Sequence, residues 1–242
     1  MQLYFIRHAQ SENNALWGRT GQSDGRSEDP ELTELGWRQA KLVAEFLTKG
    51  SPVGGYGYEG DHQGEIGFGI THLYTSLMVR AVMTGTEIAQ SLGLPLQAWE
   101  DLHEEGGIYL DDAETGEPIG LPGKDKAYFE KNFPHLVLPE DINESGWWGS
   151  RPFESREVRM PRVRRFLAEL RQRHGDTQDR VAVVSHGGFF ALLLTALLGL
   201  PARDGFWFTM YNTAITRIDF DGHEMRLVYQ NRTDHLPVHL VT

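Results

Sequence analysis

LYFIRHAQSENN (residues 3–14) decides how the rest of the chain is read. Leu3 to Ile6 form a short apolar run with the length of a buried strand, and it ends on Arg7 and His8. Small and hydrogen-bonding residues follow, from Ala9 to Asn14. A cation and an imidazole at the end of a buried strand, followed by polar backbone, mark the place where α/β proteins hold ligands: the carboxyl edge of a parallel sheet. If that reading is right, the remaining strands must deliver compatible groups to the same edge.

They do so in order. The spacing predicts a strand over 2–7, a helix over 33–48 with Thr33 as N-cap, a strand over 70–75 and a helix over 77–92. An extended piece over 96–99 leads into LHEEGG (102–107). Met160, Val163, Phe166, Leu167 and Leu170 share one side of a helix over 156–174. RVAVVS (180–185) is a buried strand, 187–199 a buried helix, and 213–220 and 224–230 are strands joined by a hairpin. Alternating strands and helices imply an α/β fold, a three-layer sandwich whose mostly parallel central sheet carries helices on both faces. We read 1–242 as one domain with irregular insertions at about 49–69 and 107–153, the second forming a lid or pocket wall.

Composition narrows the function. The net charge of −11 disfavours nucleic acid and acidic membrane surfaces as partners. No cysteine is present, which removes disulfides, thiolate metal sites and thiol nucleophiles and suits a cytoplasmic location. The longest apolar segment, GGFFALLLTALLGLP (187–201), is shorter than the roughly 20 residues that span a bilayer.

Three strand ends and a helix start carry chemistry. The first strand ends in Arg7–His8, a later one in Ser185–His186–Gly187–Gly188, Arg80 lies in the first turns of the 77–92 helix, and Glu104 and Glu105 follow Leu102. Two guanidiniums offer forked donors to phosphoryl oxygens. A neutral imidazole can act as nucleophile, a second can donate to the equatorial oxygens, and a carboxyl can protonate a leaving alkoxide. Neither a phosphate-binding GxxxxGK[ST] loop nor metal-ligand spacing occurs, so the expectation is phosphoryl transfer without metal or cofactor. The arginine run over 156–173 reads as the solvated face of its helix, and Trp147 and Trp148 stay open between core and pocket.

These residues resemble the histidine phosphatase superfamily, the phosphoglycerate-mutase-like branch. RHAQSENN matches its Arg-His-Gly-x-Ser-x-x-Asn opening, LTELGWRQA its Leu-[ST]-x-x-Gly-x-x-Gln-Ala helix, and TSLMVRAVMTGTEIA its Ser-x-x-x-Arg-Ala-x-x-Thr helix. LHEEGG stands at the acid loop, FESREVRMPRVRRFLAEL at the helix opened by Gly-Glu-Ser, VSHGGF at the second histidine and YNTAITRIDF at the closing strand. The resemblance implies that His8 becomes a phosphohistidine. Arg7, Arg80, His186, Asn14 and Gly187 would then bind the phosphoryl group, and Glu104 would serve the leaving group and then water. Glu104 is preferred to Glu105 because it follows Leu102 in the family's Leu-x-Glu pattern.

Three departures carry expectations. Ala9 in place of glycine is expected to narrow the room near the phosphate, and Phe153 replaces the glycine before Glu-Ser. Glu105, where mutases carry arginine, is expected to repel a carboxylate-bearing substrate. The implied activity is hydrolysis of small phosphorylated metabolites; mutase-type transfer and a catalytically silent phosphate-binding module are the alternatives.

Overall fold

Alternate residues of the first strand face opposite ways, and the core divides accordingly. In the computed structural model, which describes residues 1–50, 67–142, 144–201, 207–222 and 224–242, strand β1 runs Gln2–Arg7. Leu3 and Phe5 pack with residues of the helices Arg156–His174 (α5) and Gly187–Leu197 (α6) on one face. Tyr4 and Ile6 pack with residues of Glu34–Lys49 (α2) and Val79–Leu92 (α3) on the other. The period of two along the strand thus produces the three layers.

The sheet order is β6–β3–β2–β7–β1–β8–β9, where β2 is His72–Thr75, β3 Leu96–Ala98, β6 Leu136–Val137, β7 Arg180–Ser185, β8 Ile215–Asp221 and β9 Glu224–Arg232. The β1–β7, β7–β2, β2–β3 and β3–β6 pairs are parallel, and β8 and β9 add antiparallel strands beside β1. Arg7 pairs with Ser185 and Thr75 with Val184, so three parallel strands end level with one another.

Two elements differ from the sequence reading. The described part of 107–153 holds regular elements: a hairpin of Tyr109–Asp111 (β4) and Pro118–Gly120 (β5), a helix Lys126–Asn132 (α4), and β6, which joins the main sheet. Ile108, Phe129, Ile142, Trp147 and Trp148 form a cluster with Leu77, Met78 and Val82, so both tryptophans are core. These apolar residues are spaced without period because they converge from a hairpin, a helix and loops rather than from one face of a long element. The second difference is a helix over Glu12–Thr20 (α1), which buries no residue and therefore shows no hydrophobic period. A capping box starts it, Ser11 Oγ accepting from Asn14 N and Asn14 Oδ1 from Ser11 N. Residues 51–66, most of the first expected insertion, lie outside the described residues.

The turn after β1 is held by α2. Gly36 lies so close to it that a Cβ there would sit 2.1 Å from Gln10 O, and Gln39 Oε1 accepts from Gln10 N at 2.8 Å. Gly36→Ala gains about 1 kcal/mol of helix propensity but forces backbone against backbone. The expected net outcome is a loss of ~1–3 kcal/mol in urea unfolding; an equal or higher midpoint would contradict the close approach.

Candidate active site

Strand ends bring the predicted residues together. His8 N donates to Ser185 O at 2.8 Å, which places the residue after β1 against the end of β7. His186 follows directly, and its ring centroid is 5.1 Å from that of His8. Arg80 reaches over from the first turn of α3, and its Nε donates to His8 Nε2 at 3.1 Å. Arg7 lies beside the start of α6, where a Cβ on Gly187 would sit 3.6 Å from Arg7 Nε.

The hydrogen bonds select a tautomer. His8 Nδ1 lies 2.7 Å from Ala9 O, and a carbonyl can only accept. The proton is therefore on Nδ1, and Nε2 carries the lone pair that faces Arg80. Burial first, then the charges of Arg80 and Arg7, push the His8 pKa well below the usual 6.5. His186 is pushed the same way, first by burial and then by Arg80. Its Nε2 lies 2.9 Å from Ser76 Oγ, which already accepts from Met78 N. The Ser76 proton is free to go to His186 Nε2, leaving Nδ1 as a donor.

Buried donors without partners mark where an anion belongs. Among the described residues, His186 Nδ1 and Arg7 Nε are buried and have no hydrogen-bond partner. Arg80 gives one outer nitrogen to Met78 Sδ at 3.2 Å, a weak acceptor. The other is 3.9 Å from Asp29 Oδ1. Burial lowers the pKa of both arginines, against the opposing charge of Glu104 on each; no shift within a guanidinium's reach removes that charge near neutrality.

Glu104 sits at the start of α6. Its Oε1 accepts from the N–H groups of Glu105 (2.9 Å) and Phe189 (3.0 Å), and its Oε2 from Gly188 (3.2 Å). The Gly188 and Phe189 amides are ones that a first helical turn leaves unpaired. Gly188 is required there, since a Cβ would lie 2.4 Å from Glu104 Oε1. Glu105 pairs with Arg159 through Oε2, while its Oε1 stays beside Gly188, 2.8 Å from where a Cβ there would be; burial raises its pKa, opposed by that arginine. Glu104 is thus the glutamate whose charge acts on Arg7 and Arg80. The repulsion expected of Glu105 is offset by Arg159.

The arginine run of α5 is likewise not all solvated. Arg162 is buried, paired through both Nε and Nη2 with Glu154, and its Nη1 donates to Asp101 O and His103 O. It holds the backbone of the acid loop. Phe153 packs edge-on against Tyr109 and lies where a Cβ on Gly106 would be. The Ala9 methyl joins Leu32, Ala40, Val79 and Met83 in an apolar cluster, so it does not take up phosphate room as expected.

Asn14 Oδ1 accepts from Ser11 N and Asn212 Nδ2, which leaves its amide nitrogen for a ligand. Four supporting residues were given no role in the sequence reading, although Ser76 and Thr84 are the Ser and Thr of its matched helix motif. Asn212 Nδ2 also donates to His8 O, Thr84 Oγ1 accepts from Ala9 N, Ser76 faces His186, and Asp29 Oδ1 accepts from Val79 N. Thr84 was within reach, four residues after Arg80 and so on the same helix face. Asp29 carries no local signal; burial raises its pKa to about 7, opposed by Arg80.

The sequence profile of the histidine phosphatase superfamily (branch 1) matches residues 3–56 and 65–233. A putative phosphoserine phosphatase 2 of Hydrogenobacter thermophilus is 30% identical over 241 residues, covering 97% of each chain. A probable phosphoglycerate mutase of Yersinia pestis is 26% identical over 220 residues, 91% of this chain and 85% of its own. In fold, a mycobacterial glucosyl-3-phosphoglycerate phosphatase solved with VO3 superposes with a TM-score of 0.57 at 23% identity, over 96% of this chain and 99% of the other.

The buried imidazoles predict the pH dependence of stability. His8, His103 and His186 are held well below 6.5, and His235 is lowered to about 4, in each case by burial first. As pH falls through 6.5 the unfolded chain takes protons that these folded histidines refuse, and stability falls by roughly 1.4 kcal/mol per pH unit for each. Asp29 acts oppositely, taking a proton near 7 in the folded state but only near 3.8 in the unfolded one. Glu105 acts in the same direction as Asp29. Unfolding free energy is expected to drop by roughly 3 kcal/mol between about pH 7.5 and about pH 5.5. Urea titrations at the two pH values check it; no drop would mean the imidazoles are charged in the folded protein.

Proposed function

Because this chain belongs to the histidine phosphatase superfamily (branch 1), we propose that it is a phosphatase hydrolysing phosphomonoesters of small metabolites through a phosphohistidine on His8. One observation carries the reading. A neutral imidazole with its lone pair on Nε2 stands beside two guanidiniums and beside buried donors that have no partner in the protein. The two guanidiniums supply the positive charge that divalent cations supply in other phosphoryl-transfer sites.

His8 Nε2 attacks phosphorus in line as the ester P–O bond breaks. Arg7, Arg80 and His186 Nδ1 hold the three non-bridging oxygens, where transition-state charge gathers. The Gly187 N–H at the start of α6 and the Asn14 amide add donors. In its protonated form Glu104 gives a proton to the departing oxygen. It then takes a proton from the water that attacks the phosphohistidine, releasing phosphate and restoring His8. Ala9 O keeps Nδ1 protonated throughout, so the reactive nitrogen stays Nε2.

Residues of the second insertion stand beside the site. The Tyr109 ring lies near Arg80 and the charge of Lys124 acts on Asp29, and Arg26 stacks over the Tyr109 ring at 4.2 Å. Basic and aromatic groups beside the phosphate site suit a small, polar, anionic leaving group, such as a phosphorylated hydroxy or amino acid. The 30% identical phosphoserine phosphatase supports that class. We read 1–242 as one domain serving this one site. No helix among the described residues is long and apolar enough to cross a membrane, and the absence of cysteine favours a cytoplasmic location. A mutase that returns the phosphoryl group to substrate stays distinguishable: it would exchange 3- and 2-phosphoglycerate faster than it releases phosphate.

His8→Ala is expected to lower phosphate release by at least ~10⁴-fold, in the range seen when a nucleophile is removed. Rapid acid-free quench of wild type with labelled substrate would show an acid-labile phosphoprotein, and hydrolysis is expected to continue in excess chelator. A His8→Ala protein with a tenth of normal activity ends the assignment.

Glu104→Gln separates acid from base. Phosphorylation of His8 by an alkyl phosphate, whose leaving oxygen needs a proton, is expected to slow by ~10²-fold or more. With p-nitrophenyl phosphate the pre-steady-state burst is expected to change little, although breakdown of the phosphohistidine slows. The same dependence at Glu105→Gln instead would move the acid by one residue.

A further inference from the structure

At the end of the sheet opposite the catalytic site, two imidazoles and a carboxylate from three separate elements converge. His72 opens β2, His174 closes α5, and Asp179 immediately precedes β7. His174 Nδ1 is 2.8 Å and His72 Nδ1 3.8 Å from the same oxygen, Asp179 Oδ2. One ligand atom from each of the three residues lies within 4.8 Å of the other two, and the two ring centroids are 4.6 Å apart. Ligands on a tetrahedral zinc at about 2.0–2.1 Å are about 3.3 Å from each other, so sub-ångström side-chain shifts bring this set into range. The phosphatase reading uses none of these residues.

We propose that His72, His174 and Asp179 form a structural site for a divalent cation of the zinc class, remote from the phosphoryl-transfer centre. Two nitrogens and one oxygen suit zinc rather than magnesium or calcium, which take oxygen shells. The fourth position would be water, because His72 and Asp179 are part-exposed, with side chains 35% and 25% accessible. His174 is buried, and its other nitrogen, Nε2, lies 3.0 Å from Tyr74 OH. With Nδ1 on the metal, Nε2–H donates to that hydroxyl, the outer-shell bond that orients metal-bound histidines.

Neighbouring groups are arranged to permit this. His72 Nδ1 is too far from Asp179 for a hydrogen bond; its partner is Thr71 Oγ1 at 2.9 Å. That hydroxyl also lies 3.3 Å from Arg180 O, so it keeps an acceptor when a metal takes Nδ1. The turn between His174 and Asp179 is held by Thr177, whose Oγ1 donates to His174 O and accepts from Asp179 N. The cations adjacent in sequence are engaged elsewhere: Arg180 gives its Nη1 to Phe68 O, and Arg173 pairs with Glu169. A bound ion would tie the end of α5 to the start of β2 and β7.

The test is a titration of the chelator-stripped full chain with Zn²⁺, and with Co²⁺ as a visible probe. Wild type and His8→Ala are both expected to bind one equivalent at this site, and Co²⁺ to show the intense visible bands of low-coordinate N/O ligation. Thermal midpoints are expected to rise by about 5 °C or more at metal 100-fold above its Kd. His72→Ala, at the accessible ligand, is expected to fold and hydrolyse substrate as wild type does when metal-free, but to bind at least ~10-fold more weakly; Asp179→Asn should lose the site as well. Equal stoichiometry and affinity in His72→Ala, binding lost only in His8→Ala, or no binding by wild type would each overturn the proposal and leave His174 as a strut between Tyr74 and Asp179.

Discussion

His8 N–H donates to Ser185 O just past the last β1–β7 rung, where Arg7 pairs with Ser185. Most of the site follows from that register. Parallel pairing puts the residues after both strands on one edge, so His8 and His186 meet, and α6 starts where a phosphoryl group would sit. A slip of one residue would turn Leu3 and Phe5 to the opposite helix layer. The hydrophobic alternation that makes the three layers therefore also sets the distance between the two imidazoles.

That edge concentrates positive charge in a buried place. Arg7 and Arg80 both lose hydration, and the described carboxylates within electrostatic reach are few and placed. Asp29 stands 3.9 Å from Arg80 but is itself pushed up to about 7 by burial. Glu104 is held by helix amides rather than by an arginine. The guanidiniums are therefore only partly neutralised by the protein, which favours an incoming anion. Burial first, and then the same field, lower the His8 pKa and keep the ring uncharged.

The acid loop shows how supporting residues carry precision. Nothing in residues 101–105 forms a long regular element that could hold Glu104 by itself. Ser185 Oγ donates to Leu102 O, and Arg162 donates to Asp101 O and His103 O, so the loop is tied to the catalytic strand and to α5. His103 packs its ring against Trp148 while its Nδ1 meets Glu104 O. The insertion thereby also packs against the residue beside Glu104.

Much of this was legible in the order of residues. Strands ending in Arg7–His8 and Ser185–His186 and the α2 and α3 helices depend on local pattern, and local pattern survives without a fold. Tertiary structure decided the rest because it concerns contacts between distant segments. Arg162 turns inward although its helix reads as a charged face, since Glu154 and the acid-loop carbonyls are there to receive it. Residues 107–153 order around Trp147 and Trp148 with no period to announce it. Asp29 reaches Arg80 across 51 positions, and His72 meets His174 across 102. No spacing rule brings such pairs together; only the parallel sheet and the layers packed on it do.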